Sequence, residues 1–225
     1  MLSMFNKIKF KIMKNYHKIK QNLLDFKNDD KQLKIIARKT PKNSDFFFSK
    51  LYKCLNSVSG FVKYENSKQD IQKFLNRLIA KDIKCDPFYR LWLNDMSNLC
   101  KLVCKFIGDN KISFWLGTER GCKRYHVDMV PFRLLVTYAG QGTEVLPDFA
   151  ANRNAFREGK SNKEILKSKS AVEYINKWDI AIFRGGEDGI LHRTPDSALD
   201  CKSSILMRLD APSFLDEIKN INQVA

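Results

Sequence analysis

The chain has 225 residues and a mass of 26.2 kDa, is 44% hydrophobic and 29% charged, and carries 40 Lys+Arg against 25 Asp+Glu, for a formal charge of +15. Ten Gly and six Pro exclude a collagen-like or low-complexity chain, and 12% aromatic residues exclude a mainly disordered one. No apolar run approaches the ~18 residues that a membrane span needs, and the lysine-studded first twenty residues do not read as a secretory signal.

That length suits one generous domain with an appendage, or two small domains. Six cysteines (Cys54, Cys85, Cys100, Cys104, Cys122 and Cys201) are scattered without a C-x-x-C pair, so a reduced, cytoplasmic protein is expected.

The charge is uneven, since 13 basic and only 4 acidic side chains fall within residues 1–50. Phe5, Ile8, Ile12, Tyr16, Ile19, Leu23 and Phe26 recur there every three or four positions, which predicts a basic amphipathic helical arm over residues 1–30. Docking of its apolar stripe on its own domain, or on a second copy, is the favoured reading. Contact with an anionic surface is the alternative, because lysine clusters are attracted to such surfaces. The arm has no arginine and no motif of a nucleic-acid module, which argues against nucleic acid as a partner.

Residues 31–110 read as a mainly helical region packing on the core formed by the C-terminal half. A short strand at Leu33 to Ala37 precedes a helix that begins at Asp45 and is expected to stop at Gly60. Ser67 and Asp70 resemble a capping box before Ile71, Phe74, Leu75, Leu78 and Ile79. Asp86-Pro87 predicts an N-cap with proline at the first helical position, and the helix runs to Gly108. Cys100 and Cys104 on it read as core.

From Lys111 the pattern changes to short β-rich runs separated by turns: Ile112 to Leu116, Cys122 to Asp128, Phe132 to Tyr138, Trp178 to Phe183, Ile190 to His192 and Ser203 to Leu209. Residues 111–215 are thus expected to form an antiparallel β core, interrupted by a polar helical insertion at 150–176 that suits a lid, with 216–225 as a tail. Helices are expected in the insertion at Ala151 to Arg157 and Lys163 to Tyr174.

Two of the only three histidines sit in the β half, in His126-Val-Asp128 and Leu191-His192-Arg193. On a strand, alternate residues share a face with Cα atoms roughly 6–7 Å apart, so His126 and Asp128 can meet one metal ion. His192 from a later strand would complete two histidines and a carboxylate, leaving coordination positions open. On a regular strand Cys122 would lie about 13 Å from His126, too far for a shared ion, so it reads as a packing residue. Glu144 is a weaker candidate, either as an acid or base or as a support for a histidine.

In chain order, His126-x-Asp128, Arg133 to Tyr138, Gly142 to Pro147, Trp178 to Phe183, His192 and Lys202-x-Ser204 follow the landmarks of the iron(II)- and 2-oxoglutarate-dependent oxygenases of the prolyl-hydroxylase kind, which the chain resembles. The resemblance implies an α+β fold whose core is a double-stranded β-helix, jelly-roll and cupin-like, behind a helical N-terminal region. It implies iron(II) on His126, Asp128 and His192, and 2-oxoglutarate held by Lys202 with hydrogen bonds from Ser204 and Tyr138. Arginine is commoner than lysine at that anchor, and Arg208, on the same face of the last strand, is a rival.

A closer resemblance, over residues from about 30 to 213, is to an uncharacterised bacterial family, domain of unknown function 1826. It is carried by Cys122 to Asp128, Arg133 to Glu144, Arg184-Gly-Gly186 and His192 to Pro195. That family implies no activity, but it is similar to proteins encoded near zinc-homeostasis GTPases, which keeps zinc open as the metal. The expected function is an iron(II)/2-oxoglutarate oxygenase acting on an unknown small-molecule or protein substrate. The rivals are a non-catalytic zinc-binding or metal-homeostasis protein, and a zinc hydrolase with Glu144 as its base.

Overall fold

The computed structural model describes residues 16–200 and 203–214. The first half of the basic arm, Lys202 and the tail at 216–225 lie outside the described residues. The first element among the described residues is helix α1, residues 16–28, whose apolar stripe is buried. Ile19, Leu23 and Phe26 enter the main core and Tyr16 packs against it.

Strand β1 (Leu33–Ile36), helix α2 (Ser44–Leu51), strand β2 (Ser57–Lys63), helices α3 (Ser67–Leu75) and α4 (Lys81–Cys85), and the long helix α5 (Pro87–Ile107) come next. Helix α5 starts and stops as its sequence dictates: Asp86 accepts a 2.9 Å hydrogen bond from the Phe88 amide, and Gly108 closes the helix with φ 75°.

Gly60 does not end a helix, because α2 stops at Leu51 and residues 57–63 alternate well enough to pair with the next strand. The glycine is needed there for another reason: a Cβ at residue 60 would come within 2.4 Å of the Phe74 ring. Ser67 and Asp70 form no capping box either. Ser67 Oγ lies 2.7 Å from Ser97 Oγ, and Asp70 accepts from the Lys63 amide at 3.0 Å.

The second half supplies β3 (Lys111–Gly117), β4 (Phe132–Ala139), β5 (Glu144–Leu146), helices α6 (Arg153–Arg157) and α7 (Asn162–Ile165), β6 (Glu173–Tyr174), β7 (Ile180–Arg184), β8 (Leu191–Arg193) and β9 (Ile205–Asp210). The expected helix from 163 to 174 is only α7, and its far end is strand β6. Residues 122–128 are not a strand; they join the β structure through a single bridge from His126 to His192. All strand pairs are antiparallel, in a six-stranded sheet of order β1-β7-β4-β9-β3-β2 and a three-stranded sheet of order β6-β5-β8. The fold is therefore mixed, with helices beside antiparallel sheets.

The period-two alternation of β4 and β9 divides the molecule into two environments. Phe132, Leu134, Val136 and Tyr138 of β4, and Ile205, Met207 and Leu209 of β9, join α1, α2, α3 and α5 in the main core. Leu135 and Leu206 point the other way and pack with Val145, Ala181 and Phe183, between the large sheet and the small one. The outer side of the small sheet is covered by the α6–α7 segment, where Leu146 and Leu191 meet Ala150, Ala155 and Ile165. No helix among the described residues is long and apolar enough to cross a membrane.

Candidate metal centre

His126, Asp128 and His192 each direct one ligand atom into a common point between the sheets, with all three atoms within 4.8 Å of one another. The scaffold that does this is not the regular strand expected from sequence. His126 and His192 exchange two backbone hydrogen bonds of 3.0 Å, which sets their rings side by side with centroids 4.4 Å apart. The chain then turns inward to Asp128. Its carbonyl accepts from the Gly186 amide at 2.8 Å, and a Cβ at Gly185 would sit 2.4 Å from that same oxygen. The Gly-Gly pair lets the loop after β7 press against the Asp128 backbone.

The tautomers of both histidines are fixed by their surroundings. Nδ1 of His126 lies 3.0 Å from the Arg124 carbonyl, and Nδ1 of His192 lies 3.0 Å from the Ile190 carbonyl. A carbonyl can only accept, so each Nδ1 carries the proton and each Nε2 lone pair is left for the site. Carbonyls that orient imidazoles in this way are the usual support of metal-bound histidines.

Asp128 is 5% exposed and is reached by Arg133 through Nη1, while His192 Nε2 lies 3.4 Å from its Oδ2. Burial alone would raise its pKa. The nearby His192 ring, with Arg133 and His126, outweighs that and holds the carboxyl below its usual range. Oδ2 is buried with no hydrogen-bond partner. Burial also opposes the charged form of His126, but contacts with Cys122, the Arg124 carbonyl and Asp128 raise its pKa above the ordinary value.

His126 and His192 open into a cleft of about 70 Å³ shared with Arg120, Cys122, Arg133, Leu206 and Arg208, and Asp128 lies buried behind them. Arg133 is held between two acids, with Nε 2.7 Å from Asp210, and Arg208 Nε lies 3.0 Å from the other Asp210 oxygen. Arg120 donates to the Gln141 carbonyl at 2.9 Å and to Thr143 Oγ1 at 3.1 Å, and among the described residues it pairs with no carboxylate. Burial lowers its pKa to about 10, and burial lowers that of Arg208 as well. Arg120 Nε, Arg208 Nε and Ser204 Oγ are buried without a directed hydrogen bond. A pocket so rich in undersatisfied donors suits an anionic ligand.

The other candidate residues separate. Ser204 is fully buried just before the last strand, while Leu206 and Arg208 of that strand line the cleft. Tyr138 faces the opposite way: its hydroxyl donates to Asp95 at 2.8 Å in the main core, among Phe48, Trp92 and Trp178. It reaches no ligand in the metal cleft, because in β4 it shares parity with Val136 rather than Leu135. Glu144 is buried on the outer face of the small sheet, accepting from Tyr125, from Arg193 at 2.8 Å and from Tyr174 at 3.3 Å. Its neighbour Val145, not Glu144, pairs with His192, so Glu144 is fully engaged away from the metal ligands. A larger cleft of about 680 Å³ opens over that outer face and is lined by Tyr125, Glu144, Lys167 and Arg193.

Sequence reasoning passed over Arg120 and gave Arg133 no role. Arg133 was detectable as the only charged residue of an otherwise apolar strand, FRLLVTYA. Arg120 lies in an irregular loop, and nothing in its neighbours marks it.

No functionally curated protein matches the chain. Among solved structures, similarity is found to the Fe(II)/(alpha)ketoglutarate-dependent dioxygenase TqaL at 9% identity and a TM-score of 0.45, covering 87% of this chain and 88% of that one. It is also found to a bsmA homolog from Methylobium petroleophilum PM1 at 12% identity and a TM-score of 0.29, covering 60% and 54%. Matched over residues 18–210 by the family model described as a protein of unknown function, the chain belongs to the DUF1826 family.

Proposed function

We propose that the protein is a mononuclear iron(II) oxygenase that uses 2-oxoglutarate as cosubstrate. The observation that carries this reading is the convergence of one nitrogen from each of two imidazoles and a buried Asp128 carboxylate oxygen within 4.8 Å of one another, beside a cleft rimmed by Arg120, Arg133 and Arg208. Two imidazoles and one carboxylate on one side of an ion leave the other side free for ligands. The bound metal would supply the redox and Lewis-acid chemistry that couples dioxygen to oxidation of a C–H bond, with 2-oxoglutarate leaving as succinate and carbon dioxide.

The chain's own residues have defined tasks. His126, Asp128 and His192 hold the ion, and the Arg124 and Ile190 carbonyls fix the imidazole tautomers. Arg133 neutralises and aims Asp128. Arg208, with Arg120 and Ser204, offers a cationic, hydrogen-bonding seat for a carboxylate, and Lys202 is a further candidate for that role. On this reading β3 to β9 make a double-stranded β-helix core, with the helical first half as its backing and residues 150–176 as a cover.

The test is an anaerobic iron(II) titration of the purified protein with and without 2-oxoglutarate. A weak visible charge-transfer band that appears only with both, and is lost in Arg208→Met or Lys202→Ala, supports the assignment. Tight metal binding without that band in any mixture would overturn the oxygenase reading and favour a zinc-holding protein using the same ligands.

A further inference from the structure

We infer that Cys122 is a fourth, exchangeable ligand of this metal centre, so that the site alternates between an open three-ligand state and a thiolate-closed His/Asp/His/Cys state. The inference rests on the metal-centre reading above and extends it to regulation of the same site.

Cys122 is near the ligands because the chain between β3 and β4 is not a strand. An irregular path folds residue 122 back, and its carbonyl accepts from the Thr194 amide at 3.0 Å, two residues beyond His192. The residue lines the same cleft as His126, His192 and Arg133. The buried Asp128 oxygen without a hydrogen-bond partner marks where an ion would sit, beside that cleft. Cys122 itself is exposed, so it stands on the solvent side of the three ligands. The thiol lies outside the cluster of the three ligand atoms, so a side-chain rotation would be needed to bring it to the ion, with the backbone bridge between His126 and His192 left intact.

The chemistry suits the position. Zinc, cobalt(II) and iron(II) accept a thiolate beside imidazole and carboxylate, and on binding the thiol passes its proton to solvent. Two neutral imidazoles, a carboxylate and a thiolate together balance a divalent charge, while the three-ligand state leaves one positive charge to attract an anion. A chelating carboxylate ligand and Cys122 therefore compete for the same side of the ion. Cys85 is exposed on α4, while Cys100 and Cys104 are buried in α5, so none of them offers this alternative.

Anaerobic cobalt(II) titration of the full chain tests this by optical spectroscopy. The wild type is expected to show visible d–d bands together with a near-ultraviolet thiolate-to-cobalt charge-transfer band. The latter should vanish in Cys122→Ser, persist in Cys85→Ser and Cys201→Ser, and bleach when 2-oxoglutarate is added. Losing a direct ligand should weaken cobalt binding at least on the order of 10-fold, the lower bound seen when only a supporting residue is removed. A wild type with d–d bands but no thiolate band, or a thiolate band that depends on Cys201 instead, overturns the role of Cys122 and leaves the three-ligand centre standing. Absence of d–d bands altogether overturns the metal centre, and this inference with it.

Discussion

Replacing Arg133 by Met probes the charge balance on which the centre depends. The Arg133 side chain is 11% exposed and lies between Asp128 and Asp210, whose side chains are 2% and 1% exposed. Methionine keeps most of the volume but removes the arginine bonded to Asp128, while Asp210 retains Arg208 at 3.0 Å. Breaking a buried ionic cluster by removing one member costs roughly 3–5 kcal/mol, because a charge is left buried without compensation. For a domain of this size each kcal/mol moves the melting temperature by about 2–4 °C, so a drop of roughly 6–20 °C is expected in metal-free protein.

A divalent ion at the triad would replace the missing charge beside Asp128. Metal at ~100 times its Kd stabilises by about 2.7 kcal/mol if the unfolded chain does not bind it. Metal should therefore narrow the gap between variant and wild type, provided the variant still binds it, and the increment per added metal should be at least as large for Arg133→Met. Thermal unfolding followed by circular dichroism, with and without zinc, reads both quantities. A metal-free variant within about 1 kcal/mol of wild type would refute the reasoning, since a buried carboxylate cannot lose its cation at so small a cost.

Three further outcomes are expected from the same geometry. Tyr138→Phe should cost about 1.5–3 kcal/mol, the worth of a hydrogen bond to a charged partner, and leave metal and 2-oxoglutarate affinity unchanged; a selective loss of 2-oxoglutarate binding would return Tyr138 to the site. Because the folded His126 pKa is raised above 6.5, its contribution in metal-free protein is fully present below that pH and is lost as pH rises through the folded value. Metal loading needs the neutral ring, so the stabilisation gained from metal should instead shrink as pH falls through the same window, and His126→Ala should flatten both trends in urea titrations. His192→Ala should abolish stoichiometric metal binding by elemental analysis; unchanged content would mean that the three residues do not share an ion.

The amphipathic stripe of α1, the Asp86-Pro87 start and Gly108 stop of α5, and the alternation of β4 and β9 were all legible, because each depends on neighbours within a turn or a strand. The candidate cluster of His126, Asp128 and His192 was legible too, through the rarity of histidine and the H-x-D spacing. The parity of the last strand places Leu206 with Arg208, and both line the cleft. Applied to β4, the same parity places Tyr138 with Val136, on the helical side.

What the chain alone did not reveal were the contacts between distant segments. Whether residues 122–128 run straight or fold back depends on the bridge to His192 and on the glycines at 185 and 186, more than fifty residues away. That folding turns Cys122 from a residue out of range into a neighbour of His126. The pairing of Arg133 with Asp210, and of Glu144 with Arg193, likewise comes from sheet register. The sequence by itself determined the local elements and the ligand types, since periodicity and side-chain chemistry are local properties. Only the tertiary structure decided which charges meet, because Coulomb and hydrogen-bond energies depend on distances in space that chain order does not specify.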